Sequence, residues 1–371
     1  MKVVIEVVPQ LSGKRGIGVY TENLIKCLAE IDKESEYIIF SWFFRDYEEK
    51  LRMLFCPKQE NFSLLVKKFP DSLVNKLEWQ IGLPIIRNFL KDKIDIYHSL
   101  GPRLPKLKNI KKVITVHDLI YEIHPEWVNN KFLRANREAI KNADLIIADS
   151  KNTKEDLLRF YNLNEEKIQV VYLGVDRKVF RPIEDAKMTK QKYSLPDRFI
   201  LGVGPFEPRR NIVGLLKAYK KIKEKISFDY KVVLVGNETD EIKKEIQELG
   251  LTKDVIFTGY VPQNDLVAIY SLATIFVHPS FYEGFGLQIL EAMSCGCPVI
   301  TSNISSLPEV AGKAGLLVNP HNIEEISEAI YKLISDSNLR DRLVKEGFLQ
   351  VEEFSWQKTA EKTLEIYKSL L

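Results

Sequence analysis

Cysteine is scarce in this chain, with four (Cys27, Cys56, Cys295, Cys297) in 371 residues. So few thiols in so long a chain do not make a disulfide framework. Cys295 and Cys297 have no second Cys or His cluster nearby to complete a zinc site, so buried thiols are expected. No apolar run approaches the ~20 residues that a membrane-spanning helix requires. The opening residues, MKVVIEVVPQ, enter a strand pattern directly, without a signal-peptide layout. A cytoplasmic protein, at most peripheral to a membrane, is the expectation. Neither sign of charge dominates: 54 Lys and Arg stand against 51 Asp and Glu, net +3. That excludes a dedicated nucleic-acid binder. With 45% apolar and 28% charged residues the chain is also too apolar for disorder. At ~100–200 residues per domain, its length favours two domains.

The small net charge hides an asymmetry. Met1 to Phe180 holds 30 basic and 25 acidic residues, the remainder 24 and 26, and Leu51 to Lys112 alone holds 13 and 5. Such a local basic face suits an anionic ligand or an acidic membrane surface, or is a solvated lysine-rich surface.

Short apolar runs alternate with segments of helical period. Strands are expected at Lys2–Val8, Tyr37–Ser41, Asp95–His98, Lys112–His117, Asp144–Ala148 and Ile168–Tyr172. Helices are expected at Ile17–Glu30, Ser72–Lys91 (bent or split at Pro84), Asn130–Asn142 and Lys151–Tyr161, the last capped by Asp149-Ser150. Leu173–Arg198, rich in charge and proline, reads as a linker. A second series follows, with strands at Phe199–Val203, Lys231–Val235, Val255–Thr258, Ile275–His278 and Pro298–Thr301. Its helices fall at Asn211–Lys225, Asp240–Leu249, Asn264–Leu272 and Gly286–Ser294, before three C-terminal helices. Alternation without Asn-Gly hairpins implies parallel sheets covered on both faces, hence two doubly wound α/β domains. In such sheets ligands sit beyond the C-terminal strand ends, so a cleft where the two domains' loops face each other is the expected site.

Four motifs lie at those ends. Gly13, Gly16 and Gly18 follow the first strand, but the third glycine of a dinucleotide fingerprint is missing and no acid ends the second strand. NAD is therefore disfavoured, while close approach of another anion, or a loop needing glycine only to turn, remains. His117-Asp118 ends a strand, where His117 either meets a substrate hydroxyl or is a satisfied buried histidine. Arg209-Arg210-Asn211 opens a helix, forming an anion trap suited to a diphosphate leaving group, or a solvent-facing basic pair. Glu283-Gly284-Phe285-Gly286 precedes a helix that carries Glu291 two turns on. Two carboxylates so placed can accept from two sets of vicinal hydroxyls, and Glu291 among Ile289, Leu290 and Ala292 calls for a partner.

These residues resemble, over nearly the whole chain, the retaining glycosyltransferases of family 4, which have the GT-B architecture. The resemblance rests on Gly16-Ile-Gly18-Val-Tyr, Val116-His117-Asp118-Leu119, His124-Pro-Glu-Trp127, Ala143-Asp144 to Ser150, and Tyr172-Leu-Gly-Val-Asp176. It continues in Glu207-Pro-Arg-Arg-Asn211, the Glu283–Glu291 element and Phe354-Ser-Trp356. It implies two Rossmann-like domains facing across a cleft: residues 1–172 with a returning C-terminal helix at 356–371 on the acceptor side, and 173–355 binding the donor. It implies that Glu291 holds the ribose of a nucleoside diphosphate sugar. Glu283 with the N–H groups of Gly284, Phe285 and Gly286 holds sugar and phosphates, with Leu287 beside them. Arg209 and Arg210 would clamp the diphosphate, Gly16 and Gly18 close over the phosphates, His117 touch the hexose, and Tyr260 and Val261 line the base. The family usually has Arg-Lys-Asn where this chain has Arg209-Arg210-Asn211. No Asp-x-Asp metal motif is present, so metal-independent, cofactor-free hexosyl transfer is expected, with mannose from GDP-mannose going to a saccharide or lipid-linked saccharide. UDP-glucose-type transfer, a nucleotide-sugar 2-epimerase and a non-catalytic nucleotide-sugar binder are the alternatives. Phe62, Leu64, Leu65, Lys67, Lys68 and Phe69 would suit an anionic membrane, or be core plus solvated lysines.

Overall fold

The computed structural model describes residues 1–7, 16–90, 93–101, 103–127, 133–223, 225 and 229–371. The chain divides into two units, Met1–Gly174 with Trp356–Leu371, and Val175–Ser355. In the first unit β1 (Lys2–Glu6), β2 (Glu36–Phe43), β3 (Phe62–Lys68), β4 (Ile96–Ser99), β5 (Lys111–Val116), β6 (Leu145–Ala148) and β7 (Ile168–Val170) form one sheet. Its order is β3-β2-β1-β4-β5-β6-β7, with every described pairing parallel. In the second unit β8 (Phe199–Val203), β9 (Lys231–Val235), β10 (Val255–Gly259), β11 (Ile275–His278), β12 (Val299–Ser302) and β13 (Gly315–Val318) follow the order β10-β9-β8-β11-β12-β13. Both sheets reverse direction beside their first strand, which is the doubly wound arrangement.

Covering a sheet on both faces requires strands that are apolar at every position, and β8 and β11 are buried along their whole length. Each unit has its own core. Val4, Phe40, Tyr97, Ile114 and Ile146 belong to the first, and Ile200, Leu215, Val232, Val277 and Ile330 to the second. Each such side chain contributes roughly 1.5–3 kcal/mol by leaving water. Helix Ile17–Ile31 buries Tyr20, Leu24, Ile25 and Leu28 at helical spacing. The C-terminal helix Trp356–Ser369 packs on it, and Thr359 Oγ1 donates to Tyr172 O at 2.7 Å.

Several local expectations change. The helix expected at Ser72–Lys91 is three pieces, Asp71–Val74, a π-helical Asn75–Ile81, and Ile85–Phe89, broken at Gly82–Pro84. The linker contains a helix, Lys187–Lys192. Strands β3 and β13 and helices Tyr47–Met53 and Leu307–Ala311 are additional. The basic-apolar stretch proves to be an edge strand. Phe62 is buried and stacks on Tyr37 at 4.6 Å, Leu65 and Phe69 pack against the core, and Leu64 is exposed. Ser150 alone caps Lys151–Phe160, its side chain accepting from Thr153 N; Asp149 has another partner, described below. Gly13, Val8 and the start of the helix expected from Asn130 lie outside the described residues. All four cysteines are free, and Cys295 and Cys297 are buried. Among the described residues no helix is long and apolar enough to cross a membrane.

Candidate active site

Two loops of the second unit meet beyond the C-terminal ends of β8 and β11. After β11 the chain turns through Glu283 and Gly286 into helix Leu287–Ser294. Gly286 has φ 107°, and a Cβ there would lie 2.9 Å from Leu307 Cδ2, so the turn requires glycine. After β8 a single 3₁₀ turn, Pro208–Arg210, leads through Asn211 into helix Ile212–Lys223. The Asn211 amide ties this corner down. Its Nδ2 donates to Pro279 O (3.0 Å) and Pro320 O (2.8 Å), and its Oδ1 accepts from Gly214 N (3.1 Å). Phe281 N donates to Arg209 O at 2.8 Å, fastening one loop to the other.

The fastened loops bring Arg209, Arg210 and Glu283 together. Arg209 Nη1 lies 2.6 Å from Glu283 Oε2 and Arg210 Nη1 2.5 Å from Oε1. Ser280 Oγ donates to the same Oε1 at 3.0 Å. The Glu283 side chain is only 6% exposed. Burial alone would raise its pKa, but the two guanidinium groups, with the His278 hydrogen bond, pull it far below the usual carboxylate range. On its other side Arg209 Nε lies 2.7 Å from Oε2 of the half-exposed Glu207, so the two guanidinium groups face one buried and one exposed carboxylate. Arg210 is the more constrained partner. Burial lowers its pKa, Glu283 opposes that shift, and its Nε is buried without a hydrogen-bond partner. Its Nη1 also donates to Gln288 Oε1 (3.1 Å), and Gln288 Nε2 in turn donates to Gly204 O (3.0 Å). His278 Nε2 lies 3.0 Å from Arg210 Nη1 and 3.2 Å from Glu283 Oε1, and burial depresses the histidine's pKa, favouring the neutral ring. The arginines are therefore not a solvent-facing pair.

Glu291 lies on the helix that Gly286 opens, and the partner expected for it is the buried Tyr270, whose hydroxyl donates to Oε2 at 3.2 Å. Burial, reinforced by the Glu291 charge, pushes the Tyr270 pKa well up, so it remains a donor. Gly284 and Phe285 lead into this helix, Leu287 is its first residue, and Tyr260 (exposed) and Val261 (buried) follow β10 on the same sheet.

In the first unit, Gly16 opens helix Ile17–Ile31 at φ 55° and Gly18 is buried in its first turn. His117 follows β5, and its Nδ1 is 2.6 Å from Oδ2 of the buried Asp149, which follows β6. Burial works against charge on His117, but Asp149 more than offsets it and the pKa is raised. Tyr20 meets the His117 ring edge-on at 5.2 Å and bonds Thr115 Oγ1 at 3.1 Å, as His98 Nε2 does at 2.8 Å. His98 Nδ1 reaches Tyr367 Oη on the C-terminal helix at 2.6 Å. Sequence reasoning passes over Ser280, Gln288 and Glu6, and reads Asp149 only as part of a helix cap. Glu6 ends β1 and is bound by Tyr97 Oη at 2.6 Å; burial raises its pKa to about 7. Only position hints at them: Glu6 ends a strand, Asp149 and Ser280 closely follow one, and Gln288 lies in the first turn of a helix. Among the described residues, no three His, Cys, Asp or Glu side chains gather as a metal site.

Both units match models of known protein families. Residues 14–179 match the model of Glycosyltransferase Family 4, and residues 184–350 that of Glycosyl transferases group 1. The chain is 35% identical over 291 residues to O-antigen chain mannosyltransferase B of Escherichia coli, covering 76% of each protein. It is 33% identical over 274 residues to the serotype-specific mannosyltransferase WbdA of the same species, covering 70% of this chain but 34% of that protein, about a third of its length. Sucrose-phosphate synthase of Thermosynechococcus elongatus superposes with a TM-score of 0.79 at 22% identity, over 100% of this chain and 99% of that one. With the GT-B fold of such neighbours and mannosyltransferases among its relatives, the chain belongs to glycosyltransferase family 4 and is a hexosyltransferase of glycan synthesis.

Proposed function

We propose that the protein transfers mannose from GDP-mannose, with retained anomeric configuration, to a hydroxyl of a saccharide or lipid-linked saccharide. The observation that carries this reading is the pair of guanidinium groups, Arg209 and Arg210, held together on the buried Glu283 ahead of helix Leu287–Ser294, with the Arg210 Nε donor still unused. A departing nucleoside diphosphate gathers negative charge, and prepositioned guanidinium groups stabilise it without reorganising. Arg209 and Arg210 hold the diphosphate, helped by the N–H groups of Gly284, Phe285 and Gly286 and, from the first unit, by Gly16 and Gly18. Glu283 fixes both arginines and the hexose, and Glu291 accepts from the ribose hydroxyls. Leu287, Tyr260 and Val261 contact the nucleoside, and His117 the hexose. The bond from the anomeric carbon to the phosphate oxygen breaks as the acceptor oxygen attacks from the same face, and that phosphate oxygen takes the acceptor's proton. No general acid is needed to expel a diphosphate, so the two-carboxylate glycosidase scheme does not apply. With fixed arginines supplying the charge, neither metal nor cofactor is required. Mannose is favoured over glucose because the relative matched at 35% identity is a mannosyltransferase.

The test is a donor panel (GDP-mannose, UDP-glucose, UDP-galactose, GDP-glucose) with lipid-linked mannoside acceptors. Fastest transfer from GDP-mannose, giving an α-mannoside, is expected. Preference for a UDP-sugar moves the donor assignment, and acceptor-independent epimerisation overturns the reaction.

A cytoplasmic location at the inner membrane face belongs to the same reading. Within the basic stretch Leu51–Lys112, the apolar side chains of Met53, Leu64, Leu73, Ile81 and Leu83 are exposed. Apolar side chains among lysines suit an anionic bilayer. Reversing charge at Lys67 and Lys68 together should weaken co-sedimentation with phosphatidylglycerol vesicles several-fold, and unchanged co-sedimentation counts against docking through this strand.

A further inference from the structure

β5 and β6 are parallel neighbours with Val116 opposite Ala148, so the next residue of each strand, His117 and Asp149, leaves the sheet side by side. Their contact is short, 2.6 Å between Nδ1 and Oδ2, and the Asp149 side chain is 2% exposed. Each residue has one buried atom left without a hydrogen-bond partner, Nε2 of His117 and Oδ1 of Asp149. A half-satisfied pair of this kind is costly in a packed interior unless something else uses the remaining atoms.

We propose that Asp149 is a positioning residue for His117: it accepts the hydrogen bond of Nδ1–H, holds the ring in that tautomer, and so makes Nε2 the atom that meets the transferred hexose. This deepens the assignment of His117 to the hexose and rests on it. The second ring nitrogen of a histidine is set by the hydrogen bond that the first one makes. While His117 is neutral, Nε2 accepts from a sugar hydroxyl; once protonated, it donates to a sugar oxygen.

The surroundings favour the charged ring. Asp149 faces it from the end of β6, and Asp118 follows it in the chain. The Tyr20 ring approaches from helix Ile17–Ile31, its hydroxyl engaged by Thr115. The neighbouring His98, on β4, is held neutral by burial, its pKa lowered to about 3, so it brings no opposing charge. Burial of His117 itself works the other way, but the Asp149 charge and hydrogen bond, then Asp118 and the Leu100 backbone, outweigh it.

The experiment records imidazole ¹⁵N–¹H long-range correlation spectra of the full chain against pH, together with donor kinetics, for wild type, Asp149→Asn, Asp149→Ala, His117→Ala and the double variant His117→Ala/Asp149→Asn. With five histidines in the chain, the signal lost in His117→Ala identifies His117. In wild type the neutral form should carry its proton on Nδ1, and in Asp149→Asn the midpoint should move down in pH. Asp149→Asn should lower kcat/KM for the donor about tenfold, the value of one charge-assisted hydrogen bond. The double variant should be no worse than His117→Ala, because Asp149 acts only through the ring. Impaired His117→Ala with a neutral Nε2–H tautomer in wild type, or with additive losses in the double variant, overturns the role of Asp149 alone. Unchanged transfer in His117→Ala overturns the hexose contact beneath it, whatever the spectra give. Asp149→Ala guards against an asparagine that substitutes for the acceptor: it must shift the midpoint at least as far, and no shift in either variant also overturns the proposal.

Discussion

Single buried ionisable groups give the first unit a distinctive dependence on pH. Glu6 has its pKa raised from an ordinary 4.5 to about 7, mainly by burial, with the Tyr97 and Ser99 hydrogen bonds opposing. A raised carboxylate contributes stability below its unfolded pKa, and that contribution is lost as pH rises from 4.5 through 7. His98 works in the other direction. Burial lowers its pKa from 6.5 to about 3, so its contribution is complete above 6.5 and drains away as pH falls. Between pH 4.5 and 6.5 the two slopes oppose each other, and above 7 the full cost of charged Glu6 remains. Glu6→Gln should therefore raise stability at pH 8 by up to about 3 kcal/mol and change it little at pH 4. Urea titrations at the two pH values check this; an equal effect at both would show that Glu6 does not titrate in the folded chain as described.

At the level of elements, what the sequence makes legible follows from burial on both faces. β1, β8, β9 and β11 are continuous apolar runs and can be read directly. β3 cannot: as an edge strand it exposes Ser63 and Leu64 and ends in Lys67-Lys68, so its pattern resembles a basic surface segment. β13, with four residues and Leu317 exposed, carries too little pattern. The loops of the site divide similarly. Glu283, Gly286 and Glu291 stand close together in the chain, and their spacing is readable. The Arg209–Glu283 ion pair joins residues 74 apart, and His117–Asp149 residues 32 apart; only strand order and register bring such partners together. The turn at Gly286 offers a test at this scale. Alanine there must adopt φ near 107° and meet Leu307, whereas Gly250 at φ 68° has open space around a Cβ. Gly286→Ala should cost about 1–3 kcal/mol more than Gly250→Ala in urea titration and lower transfer along with it. Equal costs would mean that the turn before helix Leu287–Ser294 tolerates a side chain.

In the whole molecule, the same topology occurs twice with different charge. The first unit, with its basic surface stretch, brings His117 and Asp149 to the ends of the neighbouring strands β5 and β6. The second, slightly acidic overall, gathers the guanidinium groups of Arg209 and Arg210 on the buried Glu283, with Glu207 beside Arg209. The family more usually has lysine at position 210. A planar guanidinium can bond Glu283 through one nitrogen and still offer another to a phosphate, which a lysine cannot do from one point. The direct measurement is nucleoside diphosphate release under saturating donor and acceptor by wild type, Arg210→Ala and Arg210→Lys. Loss of about 10²–10³-fold in kcat for Arg210→Ala, with partial recovery in Arg210→Lys, is the result predicted for a group that stabilises the leaving diphosphate. A near wild-type rate in Arg210→Ala would contradict it.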